Sequence, residues 1–405
     1  MAKLSPVLRN VVVLGVVAAT PLALAACTEK SAGDGAITVN STDDACELSS
    51  TDLQTGQVNF EITNAGDKVT EFYVYGKNNR VLAEVENIGP GLKGKLGVEI
   101  TEPGTYTVAC KPGMVGQGIR QEIKVTGETK AKSQAPADVE AAKVRYLDYV
   151  RGQLNGFLAQ TETFTGDVKS GNLDKARSEF GLVRTFYERI EPVAESFPEL
   201  DPKIDMRWDD TEDGKQPFTG FHRIERFLFP PQASQVGEGE GQVAPSDAKD
   251  AKTADTKANI DKVADQLVTD VKALKAEIDA KDFQFETQMF VRGAQALIDE
   301  IAKTKVGGEE DRYSHTDLWD IAANIEGSQA LISQLETIIT KRDPNLVEKI
   351  NTQFAAVSKD IEQFRQGDGY VSYDKVTPEQ RKALSDKVDA LSATLSMVPG
   401  AVMAK

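Results

Sequence analysis

The chain holds two histidines, His222 and His315, so any imidazole chemistry falls to one of them. His222 and Glu225 stand three residues apart in the run Gly220-Phe-His-Arg-Ile-Glu-Arg-Phe-Leu-Phe229. On a helix that spacing puts both side chains on one face, with Cβ atoms about 5 to 6 Å apart, close enough to share one transition-metal ion. The flanking Phe221, Ile224, Leu228 and Phe229 predict partial burial. A carboxylate in such surroundings is costly unless a cation sits beside it. That cation is either a metal ion or one of the neighbouring arginines, Arg223 and Arg226.

Glu326 poses the same question, because it shares a predicted helix face with Trp319, Ala322, Ala323 and Ala330. The pairs Ile224-Glu225 and Ile325-Glu326 lie about a hundred residues apart, which suggests a duplicated bundle whose two helices face each other. His315, in Tyr313-Ser-His-Thr-Asp317 ahead of a predicted helix, reads as a cap or surface residue. Hydrolytic chemistry finds little support: there is no His-Glu-x-x-His and no Gly-x-Ser-x-Gly.

Cys110-Lys-Pro-Gly-Met114 has the thiol and thioether of a copper loop but no histidine near them, which argues against a blue-copper carrier. Cys46, Glu47, Glu71, Glu84, Glu86, Cys110 and Met114 could form a mixed metal site. A disulfide between Cys46 and Cys110 with surface glutamates is the other reading, since thiols outside the cytoplasm tend to pair. Both stand at this point.

The elements that must position these groups follow from the patterning. Lys3 and Arg9 precede an apolar run, Val11 to Leu24, too short to span a membrane comfortably and ending in Leu24-Ala25-Ala26-Cys27. Residues 1–27 therefore read as a lipoprotein signal, with Cys27 as the lipidated residue and 28–36 as a tether. The mature chain is expected outside the cytoplasm, held to the membrane by that lipid. Residues 37–126 alternate apolar and polar side chains in short runs, which predicts a β-sandwich of about seven strands. A polar linker, 127–137, precedes residues 138–399, where the period becomes 3.6. Ile260, Val263, Ala264, Leu267, Val271, Leu274 and Ile278 mark one helix, and Thr377-Pro-Glu-Gln380 opens another. About eight helices are expected, enough for an all-α double four-helix bundle. Residues 231–256 are of low complexity and predict a disordered insertion. The 405 residues carry a net charge of -16, which argues against nucleic acid and makes a cation the natural small partner.

Several longer runs carry a resemblance: Tyr187-Glu-Arg-Ile-Glu-Pro192, Thr219-Gly-Phe-His-Arg-Ile-Glu225, Ala264-Asp-Gln-Leu267, Gly308-Glu-Glu-Asp-Arg-Tyr-Ser-His-Thr-Asp-Leu-Trp-Asp320 and Ile325-Glu-Gly-Ser-Gln329. From about Ile37 onward the chain resembles the EfeO family, extracytoplasmic components of bacterial elemental-iron uptake with a cupredoxin-like domain followed by an imelysin-type domain. The resemblance implies iron binding in the helical domain and delivery to a membrane permease, alongside a haem peroxidase. His222 and Glu225 match the family's His-x-x-Glu motif. Glu326 and Asp265 would complete that shell, with Asp261 as the substitute for Asp265. Cys46, Glu84, Glu86 and Cys110 match positions proposed to bind copper or iron. The chain departs from the family in its 231–256 insertion and its lipoprotein cysteine. The leading reading is thus an iron-binding module, with a metallopeptidase, or a copper-dependent ferroxidase or redox relay in the first domain, as alternatives.

Overall fold

The computed structural model describes residues 35–76, 79–132, 135–211, 216–239 and 241–403. The signal segment 1–27 with Cys27, and the tether up to residue 34, lie outside the described residues. From Ile37 onward the chain forms one compact unit. No helix among the described residues is long and apolar enough to cross a membrane.

Nine strands come first: β1 (Ile37–Ser41), β2 (Cys46–Leu48), β3 (Asp52–Gln54), β4 (Gly56–Asn64), β5 (Thr70–Tyr75), β6 (Val81–Ile88), β7 (Lys93–Ile100), β8 (Gly104–Cys110) and β9 (Ile119–Thr126). They build two sheets, ordered β2-β1-β4-β7 and β3-β9-β8-β5-β6. Strand β4 shows what drives the pairing: Val58, Phe60 and Ile62 are buried while Gln57 and Asn59, at alternate positions, are exposed. That alternation is the two-residue period of a strand, and it points one face at Phe72, Val74, Val108 and Ile123 in a single sandwich core. The two strands beyond the expected seven are β2 and β3, each three residues long and too short to show a period.

Strand β5 breaks the alternation, with all six residues buried. Phe72 and Val74 fill the sandwich, whereas Tyr73 and Tyr75 belong to a separate cluster with Val81 and Ala109. The helical domain covers this second face. Val81 donates its backbone N–H to Ser196 O at 3.2 Å. The Arg80 guanidinium lies over the Phe197 and Phe283 rings, 4.9 and 4.7 Å from their centroids. The sandwich is therefore docked on the helices through the outer face of its five-stranded sheet.

The helices are α1 (Ala137–Ser170), α2 (Leu173–Glu188), α3 (Glu191–Ala194), α4 (Asp201–Asp205), α5 (Gly220–Leu228), α6 (Pro245–Ala254), α7 (Lys257–Asp279), α8 (Thr287–Glu300), α9 (Asp317–Arg342), α10 (Pro344–Glu362), α11 (Pro378–Leu395) and α12 (Val398–Met403). Helices α1, α2, α5 and α7 pack as one group and α8 to α11 as another, joined where α9 meets α1 and α2, around one continuous core. The α7 stripe Ile260, Ala264, Leu267, Val271, Leu274 and Ile278 is buried throughout. At the start of α11 the Thr377 hydroxyl accepts from Gln380 N, and the Gln380 side chain accepts from Thr377 N, the reciprocal cap that the sequence predicts. Helix α8 continues into a wider π-helical turn, Ile301–Lys305.

Residues 231–256 differ from the expectation of disorder. They form a short turn at Ala233–Gln235 and then α6, with Val243 buried beside Trp208, Phe218 and Tyr313. The cause is charge: Arg226, fully buried on α5, pairs with Asp247 at 2.5 Å, Asp250 at 2.8 Å and Asp255 at 2.7 Å. A composition without a core stripe is held by three carboxylates on one guanidinium.

Candidate metal centre

Gly220 opens α5 with a φ of +76°, and a Cβ there would lie 2.3 Å from Ile204 O. Only glycine accepts both conditions, so the start of α5 lies directly against the end of α4. That contact brings Asp205, the last residue of α4, beside His222. Phe221 anchors the helix against the Phe157 and Phe164 rings, 5.7 and 5.9 Å between centroids. Ile224 and Leu228 follow at steps of three and four on the same buried stripe.

The two nitrogens of His222 meet different surroundings. Nδ1 shares a 2.8 Å hydrogen bond with Glu225 Oε2. Nε2 makes no hydrogen bond, although the residue is only 1% exposed, and it faces Asp205 Oδ1 at 3.5 Å and Glu310 Oε1 at 3.4 Å. Glu225 is fully engaged: its Oε1 accepts from Tyr313 N at 3.1 Å, Ser314 N at 2.8 Å and Ser314 Oγ at 2.8 Å. Donor atoms suited to a metal fall into overlapping sets, Asp205 with His222 and Glu310, and His222 with Glu225 and Asp311, each within 4.8 Å.

Two more such sets are carboxylates alone, Glu188 with Glu191 and Asp205, and Glu188 with Glu310 and Asp320. Arg184, fully buried on α2, reaches Glu188 at 2.5 Å, Asp320 at 2.9 Å, Glu310 at 3.0 Å and Asp311 at 3.4 Å, and also pairs with Asp205. Lys305, in the π-helical turn, approaches Glu188 at 3.2 Å, Glu191 at 3.3 Å and Glu310 at 3.8 Å. The carboxylates outnumber the fixed cations Arg184, Lys305 and Arg207. Burial accordingly pushes the Asp311, Asp320 and Glu191 carboxyls well above their ordinary range. Burial also opposes the charge on Glu310, yet Lys305, His222 and Arg207 outweigh it and hold that carboxyl well below its usual value. For His222, burial and Arg184 disfavour the imidazolium, but Glu225, Glu310 and Asp205 prevail and raise it from 6.5 to about 9.

Of the expected ligands, the structure brings His222 and Glu225 together and leaves the others outside. Glu326 is 47% exposed and pairs with Arg189 at 2.8 Å. Asp317, Asp320 and Asn324 face the centre from α9, and Glu326, two residues past Asn324, points about 200° around the helix. The two Ile-Glu pairs are therefore not equivalent, because Glu225 is buried and Glu326 is not. Asp265 is 66% exposed and pairs with Lys169 at 2.5 Å, one residue past the buried Ala264 stripe. Its substitute Asp261 pairs with Lys257 on the α7 surface. His315 is half-buried, with a φ of +59° and its ring Nε2 on the Gln235 amide at 2.9 Å. It caps no helix.

The mixed site in the sandwich is corrected by strand geometry. Cys46 and Cys110 form a disulfide. Cys110 pairs in register with Phe72, whose side chain is in the sandwich core, while Glu84 pairs with Tyr73, on the opposite face. Period-two alternation thus separates the sulfurs from the carboxylates. Glu86 meets Lys303 at 2.5 Å, Glu71 accepts from the Tyr73 hydroxyl at 3.0 Å, and Glu47 is exposed. Burial first and the Glu86 charge second raise the Glu84 carboxyl to about 8.

The sequence reading missed Asp205, Glu310, Asp311, Asp320, Glu188 and Glu191 as members of the cluster. A partial signal exists for two of them, since Glu188 and Glu191 stand beside the apolar Tyr187, Ile190 and Val193, whereas nothing in the local pattern marks Asp205 or Glu310.

Comparison with known proteins agrees with this architecture. The Imelysin family model matches residues 142–398 and the Cupredoxin-like domain model residues 13–120. The iron uptake system component EfeO of Escherichia coli O1:K1 is 36% identical over 369 residues, covering 90% of each chain. The component of the same name from Shigella flexneri is 35% identical over the same length. Among solved structures, dithionite-reduced auracyanin from Roseiflexus castenholzii is 14% identical and covers 23% of this chain and 98% of its own, with a TM-score of 0.19.

Proposed function

Because the chain belongs to the imelysin family, and within it to the EfeO iron-uptake components, we propose that it captures iron at His222 and passes it to a membrane permease. The single observation behind this reading is His222 Nε2, buried, without a hydrogen bond, and facing the Asp205 and Glu310 carboxylates. A buried ring nitrogen without a hydrogen bond is costly, and an ion held between Nε2 and the Asp205 and Glu310 carboxylates would satisfy it. Two hard oxygens and one imidazole are a donor set suited to iron. In this assignment Glu225 is not a ligand. It holds the Nδ1 side of the ring and so directs Nε2 at the cargo, as carboxylates behind metal-binding histidines commonly do.

The remaining parts of the reading are consistent with this role. The Cys46–Cys110 disulfide fits an oxidising compartment outside the cytoplasm. Lipidation at Cys27 would hold the carrier near its permease and a haem peroxidase partner at the membrane surface. Glu225, the natural general base of a peptidase reading, has both oxygens occupied, and no free thiolate remains for copper in the sandwich. Both facts favour a carrier over an enzyme. The test is calorimetric titration of His222→Ala with ferrous and ferric iron, beside its circular dichroism. Binding should vanish while the fold persists; retention of the parent affinity rejects the site.

A further inference from the structure

The centre has almost no surface of its own, with His222 1% and Glu225 0% exposed. A cargo ion therefore needs a path. A cavity of about 170 Å³ lies between the sandwich and the helices. Glu71 and Glu86 line it from the sandwich, and Glu195, Asp201, Glu300 and Asp205 from the helical side. Its cations are Lys111, Arg207 and Lys303, fewer than its carboxylates. Asp205 belongs to both places: it is among the residues lining the cavity, and its Oδ1 faces the buried Nε2 of His222 at 3.5 Å. A second interdomain cavity, between β6 and α8, includes no residue of the centre.

We propose that iron enters and leaves the His222 centre through this interdomain cavity, with Asp205 as the carboxylate that carries it from the cavity to the imidazole. The inference rests on the reading of His222 as an iron site. An aquated ferrous ion exchanges its waters for oxygen ligands one at a time, and the cavity offers hard oxygens on both walls. An acid-rich cleft between low-dielectric walls also concentrates cations ahead of the site. Burial first and Glu86 second raise the Glu71 carboxyl to about 7, against the opposing pull of Lys303 and Lys111. The outer face of the sandwich thus becomes one wall of the iron path, a role for the first domain that requires no copper.

Met114 lines the cavity from the sandwich side and is half-buried, so a thiol placed there can be reached by a reagent. The full chain carrying Met114→Cys is compared before and after reaction with a bulky maleimide, beside the unsubstituted chain treated identically. Ferrous iron uptake is followed anaerobically by competition with a chromophoric chelator. Labelling should slow association about tenfold or more without changing the final stoichiometry. Iron loaded before labelling should leave to the chelator more slowly by a similar factor. Equal rates before and after labelling overturn the path while leaving the His222 site intact. An unlabelled chain that binds no iron overturns the site and the path together.

Discussion

His222 Nε2 and Asp205 Oδ1 face each other at 3.5 Å with no hydrogen bond to Nε2, and the side chains belong to separate helices in close contact at Gly220. The imidazole is buried, the carboxylate is partly exposed, and the two are close enough to share an ion. Their relationship, more than the His-x-x-Glu spacing, defines where the cargo would sit.

Substitutions on the two sides of the ring should separate ligand from support. Asp205→Asn replaces a charged ligand with an amide and should cost more than about a hundredfold in iron affinity, beyond the range for an orienting partner. Glu225→Gln keeps the shape but weakens the hold on Nδ1, and should cost about 10- to 100-fold. Calorimetric titration of both variants decides the order; a larger loss at Glu225 would make it the ligand instead.

Iron affinity should rise with pH. In the metal-free chain the imidazole is raised from 6.5 to about 9, so it carries a proton at neutral pH. Stability drawn from that imidazolium is complete below about pH 6.5 and is lost as pH climbs through about 9. Ligation needs the proton gone, so loading at pH 7.5 should release about one proton from this ring and affinity should gain up to about tenfold per pH unit. Titrations in buffers of different ionisation enthalpy count the proton, and a flat affinity between pH 6 and 9 contradicts the assignment.

Gly220→Ala should damage stability and binding together. Its Cβ would meet Ile204 O at 2.3 Å, and the backbone already sits at a φ of +76°. The strain should cost about 1–3 kcal/mol. Thermal unfolding should fall by several degrees, and affinity should fall with it because α4 is pushed away from α5. An alanine variant with the parent melting temperature and affinity would show that the close approach is not needed.

Asp247→Ala should loosen the 231–256 segment. It removes one of three carboxylates on Arg226 and the acceptor of the Tyr313 hydroxyl at 2.6 Å. Breaking a buried pair costs about 3–5 kcal/mol, and the lower end applies because Asp250 and Asp255 remain. Limited proteolysis should then cut within 231–256, where the parent resists; equal resistance in both would remove the ion pairs as the cause of order.

The sandwich and the helices were legible because both depend on period: alternation in β4 and the stripe in α7 each point one face at a core. His222 and Glu225 were legible because their spacing is local. Asp205 and Glu310 were not, since their meeting with His222 depends on Gly220 and on the fold of the 308–315 loop, which no local pattern encodes. Glu326 and Asp265 were misplaced for a related reason: a helix residue's direction changes by about 100° per step, so a good motif match can still point outward. Order in 231–256 was hidden because ion pairing to Arg226, rather than apolar burial, holds it.

The π-helical turn Ile301–Lys305 serves two masters within three residues. Lys303 is hydrogen-bonded to Glu86 of the sandwich at 2.5 Å, and Lys305 is set among the carboxylates behind His222. Domain seating and the charge balance at the cargo pocket therefore share one piece of backbone. Evolution has little room to adjust one without disturbing the other, and variation in this turn should come in concert with Glu86 on one side and Glu188 on the other.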